Sequence, residues 1–345
     1  MSNTQLKNKE IIKTLSPIQS LSQRLESEMK DVNALILANM QSEIPLIPQL
    51  AGYLIAAGGK RIRPLLTLAA TQLFSSESLV MDNAYKLATA VEFIHTATLL
   101  HDDVVDESAE RRGQDAANLI YGNQASVLVG DFLFSKAFQM MVDTHSIHAL
   151  SILSNASAII AEGEVLQLTL MNNGQTTMAN YLQIIEAKTA ALFAAACEVG
   201  PLIAGADKKA QHALKTYGLN MGIAFQITDD TLDYMADRTT LGKAIGDDFR
   251  EGKMTAPILL AMEKANQTEQ DFWQRTMGEK NQKDGDLEQA QSLIQKHETI
   301  SASIAMAQSY GTKAKDALND IDNIKDSQIK SNLLALIDFT IQRTH

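Results

Sequence analysis

The sequence predicts an all-α bundle. Its hydrophobic residues recur with a helical period nearly throughout, and no stretch alternates as a half-buried strand would. The six prolines, Pro17, Pro45, Pro48, Pro64, Pro201 and Pro257, fall near expected helix starts or connections, where a missing N–H costs least. Hydrophobic residues make up 45% of the 345 positions, rich in Ala, Leu and Ile with 14 Met, which is enough for a large helical core.

Residues 1–15 read as a polar tail bearing Lys7, Lys9, Glu10 and Lys13, and residues 16–345 as one domain. The tail lacks the apolar stretch and cleavage site of a secretory signal. The charged stretch from about Glu263 to Glu288, which contains Gly278 and Gly285, is expected at the surface. Amphipathic helix resumes on both sides of it, so it is not a domain linker. No uncharged apolar run reaches the roughly 18 residues of a membrane span. A net charge of −11 argues against nucleic acid, whose phosphates need a basic face. The single cysteine, Cys197, follows the apolar run from Ala190 to Ala196 and reads as a buried structural thiol. A soluble cytoplasmic protein is expected.

Two clusters, Asp102-Asp103-Val104-Val105-Asp106 and Asp229-Asp230-Thr231-Leu232-Asp233, repeat one DDxxD spacing within this helical sequence. On a helix the first and last aspartates lie one turn apart on one face and repel unless a cation sits between them. Mg²⁺, bound by a few carboxylates and completed by water and substrate phosphates, suits that spacing. Projected at about 100° per residue, Ala84, Leu87, Ala88, Val91, His95, Thr98, Asp102 and Asp106 share a stripe roughly 120° wide. The core-facing stripe thus turns acidic at its C-terminal end. Gly218, Gly222, Phe225, Gln226, Asp229 and Asp233 likewise share a face. Inward aspartates are costly to bury unpaired, and a metal-lined cavity removes that cost. One DDxxD is more simply a solvated helix end; two on core-facing stripes are not.

Cations indicate what the metals hold. Gly58-Gly59-Lys60-Arg61-Ile62-Arg63-Pro64 sets three positive charges behind a glycine pair, and Arg111-Arg112-Gly113 follows the first cluster. Lys188-Thr189, Lys243 and Lys253 add isolated cations in apolar or glycine-containing segments. Arg recognises phosphate in bidentate fashion and Lys acts as a point charge. Acidic metal sites with several separate cations describe a site that handles diphosphate.

From about Gly58 to Pro257 the chain resembles the trans-isoprenyl (polyprenyl) diphosphate synthases. The resemblance rests on residues 58–64, on Glu92 through Ser108 with Arg111-Arg112-Gly113, and on Val129-Gly130-Asp131-Phe132-Leu133. It continues through Gly163-Glu164-Val165-Leu166-Gln167, Lys188-Thr189, Gln226 with the second cluster, Gly246-Asp247-Asp248 and Glu251-Gly252-Lys253. It implies an isoprenoid-synthase-type helical bundle around a deep central cavity, a homodimer, and three Mg²⁺ per active site. The implied partners are isopentenyl diphosphate and an allylic prenyl diphosphate, with only transient membrane contact for product release.

Roles follow position by position. Asp102 and Asp106 would bind Mg²⁺, and Asp229, supported by Asp230 and Asp233, would complete the metal cluster. With Asp103 and Lys188 these aspartates form the implied catalytic set. Lys60, Arg63, His95 and Arg112 match positions that hold isopentenyl diphosphate. Arg111 would contact the allylic diphosphate, and Lys188, Thr189, Gln226 and Lys243 line the allylic side. Ala97 and Thr98, the fifth and fourth residues before Asp102, stand where short-chain members commonly carry aromatic rings. Small residues there leave a shaft open for a longer tail, which resembles the long-chain class making octaprenyl to decaprenyl chains for respiratory quinones. The floor of the shaft falls among Phe132, Phe134, Phe138, Met140 and Met141 without a ranking.

Four rivals fit less well. A short-chain synthase would be expected to carry bulk at Ala97 or Thr98. A terpene cyclase normally has an Asn/Ser/Glu second metal motif, and a phosphohydrolase using His101-Asp102 lacks suitably arranged partners. A non-catalytic subunit typically loses an aspartate motif. Tyr121, before Gly122-Asn123, departs from the family's usual indole, and Arg343 is read as either closing over the site or exposed.

Overall fold

The computed structural model describes residues 15–56, 58–111, 113–171, 176–235 and 246–343. The tail through Thr14, Arg112 and Lys243 lie outside the described residues. The architecture is all-α, as the periodicity predicts. Ser16 and Gln19 form a capping box at α1 (Pro17–Arg24), with Pro17 in the first turn, and α2 (Glu26–Asn39) continues beyond Leu25. Pro45 precedes α3 (Leu46–Ala56), and Gly58, Gly59 and Arg61 all take positive φ in the turn before α4 (Ile62–Gln72). Two glycines make that turn accessible, and Arg61 holds its own left-handed conformation at φ 43°.

Next comes α5 (Ser78–Val105), which carries the first aspartate cluster, and then a two-residue ladder not read from the sequence. Its strands, β1 (Glu110–Arg111) and β2 (Gln114–Asp115), turn through Gly113 at φ 77°. They are too short to alternate, which is why periodicity misses them. Short α6 (Ala117–Tyr121) leads into α7 (Asn123–Val142) and α8 (Ile147–Met171). By length and composition α7 and α8 are apolar enough to cross a membrane. Each nevertheless carries ionisable groups, Asp131 and Lys136 in one and Glu162 and Glu164 in the other, and α7 packs along α5.

A capping box at Thr177 starts α9 (Met178–Ile185), which passes through a π-helical turn, Glu186–Ala190, into α10 (Ala191–Ile203). Pro201 lies in the last turn of α10 and not at a helix start. Helix α11 (Lys208–Met235) carries the second cluster, and α12 (Asp247–Arg250) and α13 (Ala256–Glu263) follow. Most of the charged stretch lies at the surface as expected, but its large apolar side chains turn inward. Within α14 (Gln267–Trp273) and the π-helical turn Gln274–Gly278, Phe272, Trp273 and Met277 are buried against Phe249, Ile258 and Ile294. Three of its charged residues, Glu269, Arg275 and Asp286, form ion pairs at the edge of this second apolar cluster. Arg275 pairs with Asp286 at 2.7 Å, and Glu269 takes Lys296 at 2.5 Å and His297 at 2.9 Å, which holds the Glu269 carboxyl down to about 2. The chain ends with α15 (Asp286–Lys296), α16 (Thr299–Asn319) and α17 (Ser327–Gln342).

The centre is built from α5, α10 and α11, with α10 packed against both of the others and against α4. Small residues set that spacing. A Cβ on Gly218 would lie 2.4 Å from the Phe193 carbonyl oxygen, and one on Gly222 would lie 2.6 Å from the Ala190 Cα. Helical glycine costs backbone entropy, so these two are retained for close approach. Cys197 is buried in α10, and burial pushes its thiol far above the ordinary value. Gly218→Ala is expected to lower the urea midpoint by an amount equal to about 1–3 kcal/mol with an unchanged slope, because backbone cannot yield as a side-chain tip can.

Candidate active site

Each aspartate cluster sits at the C-terminal end of a helix that leans on α10. In both, the middle aspartate is the buried one, whereas Asp106 and Asp229, which the projection placed on the core-facing stripes, are exposed at the helix ends. Asp103 has no exposed surface and accepts hydrogen bonds from Arg111, with Nε at 2.6 Å and a second guanidinium nitrogen also engaged. Asp230 accepts from the Tyr181 hydroxyl at 2.6 Å and from Gln226 Nε2 at 2.7 Å. The first aspartates stay open to the cleft: Asp102 is partly buried, and the Asp229 side chain is 56% exposed. Asp106 reaches towards Lys253 at 3.9 Å. Asp233 is committed to backbone, accepting from the Asp247 and Asp248 N–H groups at 3.3 and 3.1 Å where α12 begins.

The carboxylates crowd each other. Burial, then the charge of Glu164, pushes Asp102 up to about 7, with Asp106 adding to the rise and Lys188 and Arg111 opposing it. Burial also raises Asp230 to about 6 against the pull of its two hydrogen bonds. Asp248 is driven well above its ordinary value by burial and then by Asp230 and Asp233.

Helix α8 crosses the π-helical turn so closely that a Cβ on Gly163 would lie 2.6 Å from Ala187 Cβ. The extra residue of that turn aims Lys188 and Thr189 into the cleft. Lys188 Nζ sits 2.7 Å from Glu164 and donates to Gln167 at 2.9 Å. Thr189 donates to Gln226 Oε1 at 2.9 Å. On the other side a cleft is lined by Gly58, Gly59, Glu92, His95 and Arg111. Lys60 is exposed on its rim, whereas the Arg63 guanidinium stacks 4.3 Å over the Phe193 ring. Arg61 also lines this cleft, its guanidinium bonded to Asn33. His101 faces α7, with Nε2 3.1 Å from the Val127 carbonyl oxygen, over Gly130. Ala97 is fully enclosed and Thr98 is partly open, its hydroxyl spent on the His95 carbonyl at 2.8 Å.

Sequence reasoning left several neighbours without a role. Tyr181 lies far from the clusters in sequence and carried no local signal. Lys253, Asp248, Glu164 and Gln167 stood in quoted segments, unassigned. Arg343 does reach the site, 3.1 Å from Asp229, donating to the Phe225 carbonyl at 3.0 Å and lying 4.1 Å over the Phe225 ring.

Residues 44–294 match the polyprenyl synthetase family. The chain belongs to that family. An octaprenyl diphosphate synthase of Haemophilus influenzae is 40% identical over 96% of this chain and 98% of its own. The crystal structure of a polyprenyl synthase from Caulobacter crescentus, complexed with calcium and isoprenyl diphosphate, superposes with a TM-score of 0.89 at 50% identity, over 95% of this chain and 98% of that one. A decaprenyl diphosphate synthase from Rhodobacter capsulatus gives 0.90 at 48% identity, over 95% of this chain and all of its own.

This polyprenyl synthetase is accordingly a transferase of a metal-dependent family, and its donors suit the metal. The aspartate clusters offer carboxylate oxygens, the donors preferred by a hard divalent cation. Among the described residues no three acidic, His or Cys side chains already form a closed cage. With Asp102 raised to about 7, divalent cations must displace a proton below that pH. Calorimetric titration is expected to show affinity rising as pH increases towards about 7 and then levelling, with proton release on the acid side.

Proposed function

We propose that this polyprenyl synthetase is a long-chain trans-polyprenyl diphosphate synthase. It extends an allylic diphosphate such as farnesyl diphosphate by successive head-to-tail condensations with isopentenyl diphosphate, to octaprenyl-to-decaprenyl length for a quinone side chain. The observation that carries this reading is that Lys253 stands between the two aspartate-bearing helix ends, 3.9 Å from Asp106 of the first and acting on Asp230 and Asp248 of the second, while Lys188 and Arg111 act on Asp102.

In this reading Asp102, Asp106 and Asp229 hold Mg²⁺, three ions per site, which neutralise charge on the departing diphosphate when bound. Arg111, Lys188, Thr189, Gln226 and Lys243 bind the allylic diphosphate, and Asp103 orients Arg111. Lys60, Arg63, His95 and Arg112 bind isopentenyl diphosphate. The allylic C–O bond ionises, the isopentenyl double bond attacks the cation, and the proton lost goes to released diphosphate. Enclosed apolar walls around Ala97 exclude water that would quench the cation.

A homodimer is supported by Leu119, Ile120, Leu128, Phe138 and Val142, which leave apolar surface exposed along α6 and α7. A cytoplasmic location suits the lone buried thiol. Purified protein with Mg²⁺, isopentenyl diphosphate and farnesyl diphosphate is expected to yield long-chain products by radiochromatography. Absence of product would overturn the synthase reading, and products stopping at short chains would overturn the length assignment. Ala97→Phe, with its melting temperature recorded alongside, is expected to shorten the product. Unchanged length from a folded variant would remove the shaft argument.

A further inference from the structure

We propose that Tyr181 is a positioning residue for the second aspartate cluster, and that Asp230 acts there as a hydrogen-bond anchor and not as a metal ligand. The inference rests on the synthase reading and names the support of its second metal motif.

Both Asp230 oxygens are occupied. Tyr181, buried at 4% exposure on α9, donates to Oδ2 at 2.6 Å, and Gln226, one turn earlier on α11, donates Nε2 to Oδ1 at 2.7 Å. The chain of bonds continues, because Gln226 Oε1 accepts from Thr189 at 2.9 Å, on the π-helical turn that also carries Lys188. The donors and acceptors match: the phenol donates to the carboxylate, the carboxylate accepts, and the amide does both. The network therefore ties three segments, α9, the π-helical turn and α11, into one register.

Its geometry reaches the neighbouring ligand. Asp229 follows Gln226 by three residues and precedes Asp230 directly, so a rotation of α11 that relaxed the Tyr181 contact would turn Asp229 as well. The apolar part of Tyr181 packs with Ile185, Ile227 and Leu259, so Tyr181→Phe removes the hydroxyl while keeping the packing. What it leaves is a buried carboxylate oxygen without its donor, which the helix relieves by shifting.

The test measures product formation by Tyr181→Phe and Asp230→Asn, with Asp229→Asn as reference and melting temperatures for all. Tyr181→Phe is expected to raise the half-activating Mg²⁺ concentration and the KM for the allylic substrate on the order of tenfold, the scale of one charge-assisted hydrogen bond. The KM for isopentenyl diphosphate should stay within about twofold, because its cleft lies across α5. Asp230→Asn keeps an acceptor for Tyr181 and is expected to retain far more activity than Asp229→Asn. The inference is overturned if folded Tyr181→Phe keeps the parent Mg²⁺ response, if both substrates weaken equally, or if Asp230→Asn is as damaging as Asp229→Asn. Inactive wild-type protein would instead strike at the synthase reading itself.

Discussion

Like-charge crowding at one end of the bundle is the constraint to which the rest of the structure answers. Asp102, Asp230, Asp233 and Asp248 are all pushed above their ordinary values, by burial first and by neighbouring carboxylates after it. The compensation comes in layers. Arg111 and Lys188 are fixed cations, Tyr181 and the α12 N–H groups are neutral donors, and Lys253 and Arg343 approach from two later segments of the chain. Those last two meet the outer, open aspartates. They offset part of the like-charge repulsion at those ends.

Helix packing decides where this charge can accumulate. Gly218 and Gly222 let α11 press onto the backbone of α10, and Gly163 lets α8 press onto the π-helical turn. Close backbone approach in the middle of the bundle brings the flanking polar side chains within hydrogen-bond range of one another. Thr189 then meets Gln226 across two segments, and Glu164 meets Lys188. Larger residues at the contact would separate the helices and lengthen those bonds past usefulness, so stability and site geometry draw on the same glycines.

The helical class, the two acidic helix ends and the flanking cations were legible because each is periodic or local: spacing on one helix, or charges adjacent in sequence. What was not legible depends on tertiary contact. The segment around Trp273 is largely exposed, as its charges suggest, yet Arg275 and Glu269 pair with Asp286, Lys296 and His297, and Phe272, Trp273 and Met277 pack inward where local composition gives no sign of it. Tyr181 meets Asp230 only because α9 folds back along α11, and nothing in its local sequence announces that. The site was read as a set of ligands; its supports were not.

The repeated DDxxD spacing divides its labour in the same way twice. On a helix the second aspartate lies about 100° from the first, so when the first faces a cleft the second faces the wall. In the first cluster the wall offers the Arg111 guanidinium to Asp103, and in the second it offers the Tyr181 phenol to Asp230. An arginine partner is charged and reaches the cleft itself; a phenol is neutral and stays buried. The first anchor therefore also brings a cation to the cleft lined by Gly58, Gly59 and His95, whereas the second stays within the wall. The last aspartates diverge too, since Asp106 keeps a distant lysine while Asp233 is taken up by the α12 backbone. Two identical motifs thus present unequal open carboxylates, two from α5 and one from α11, and the asymmetry comes from what each wall provides.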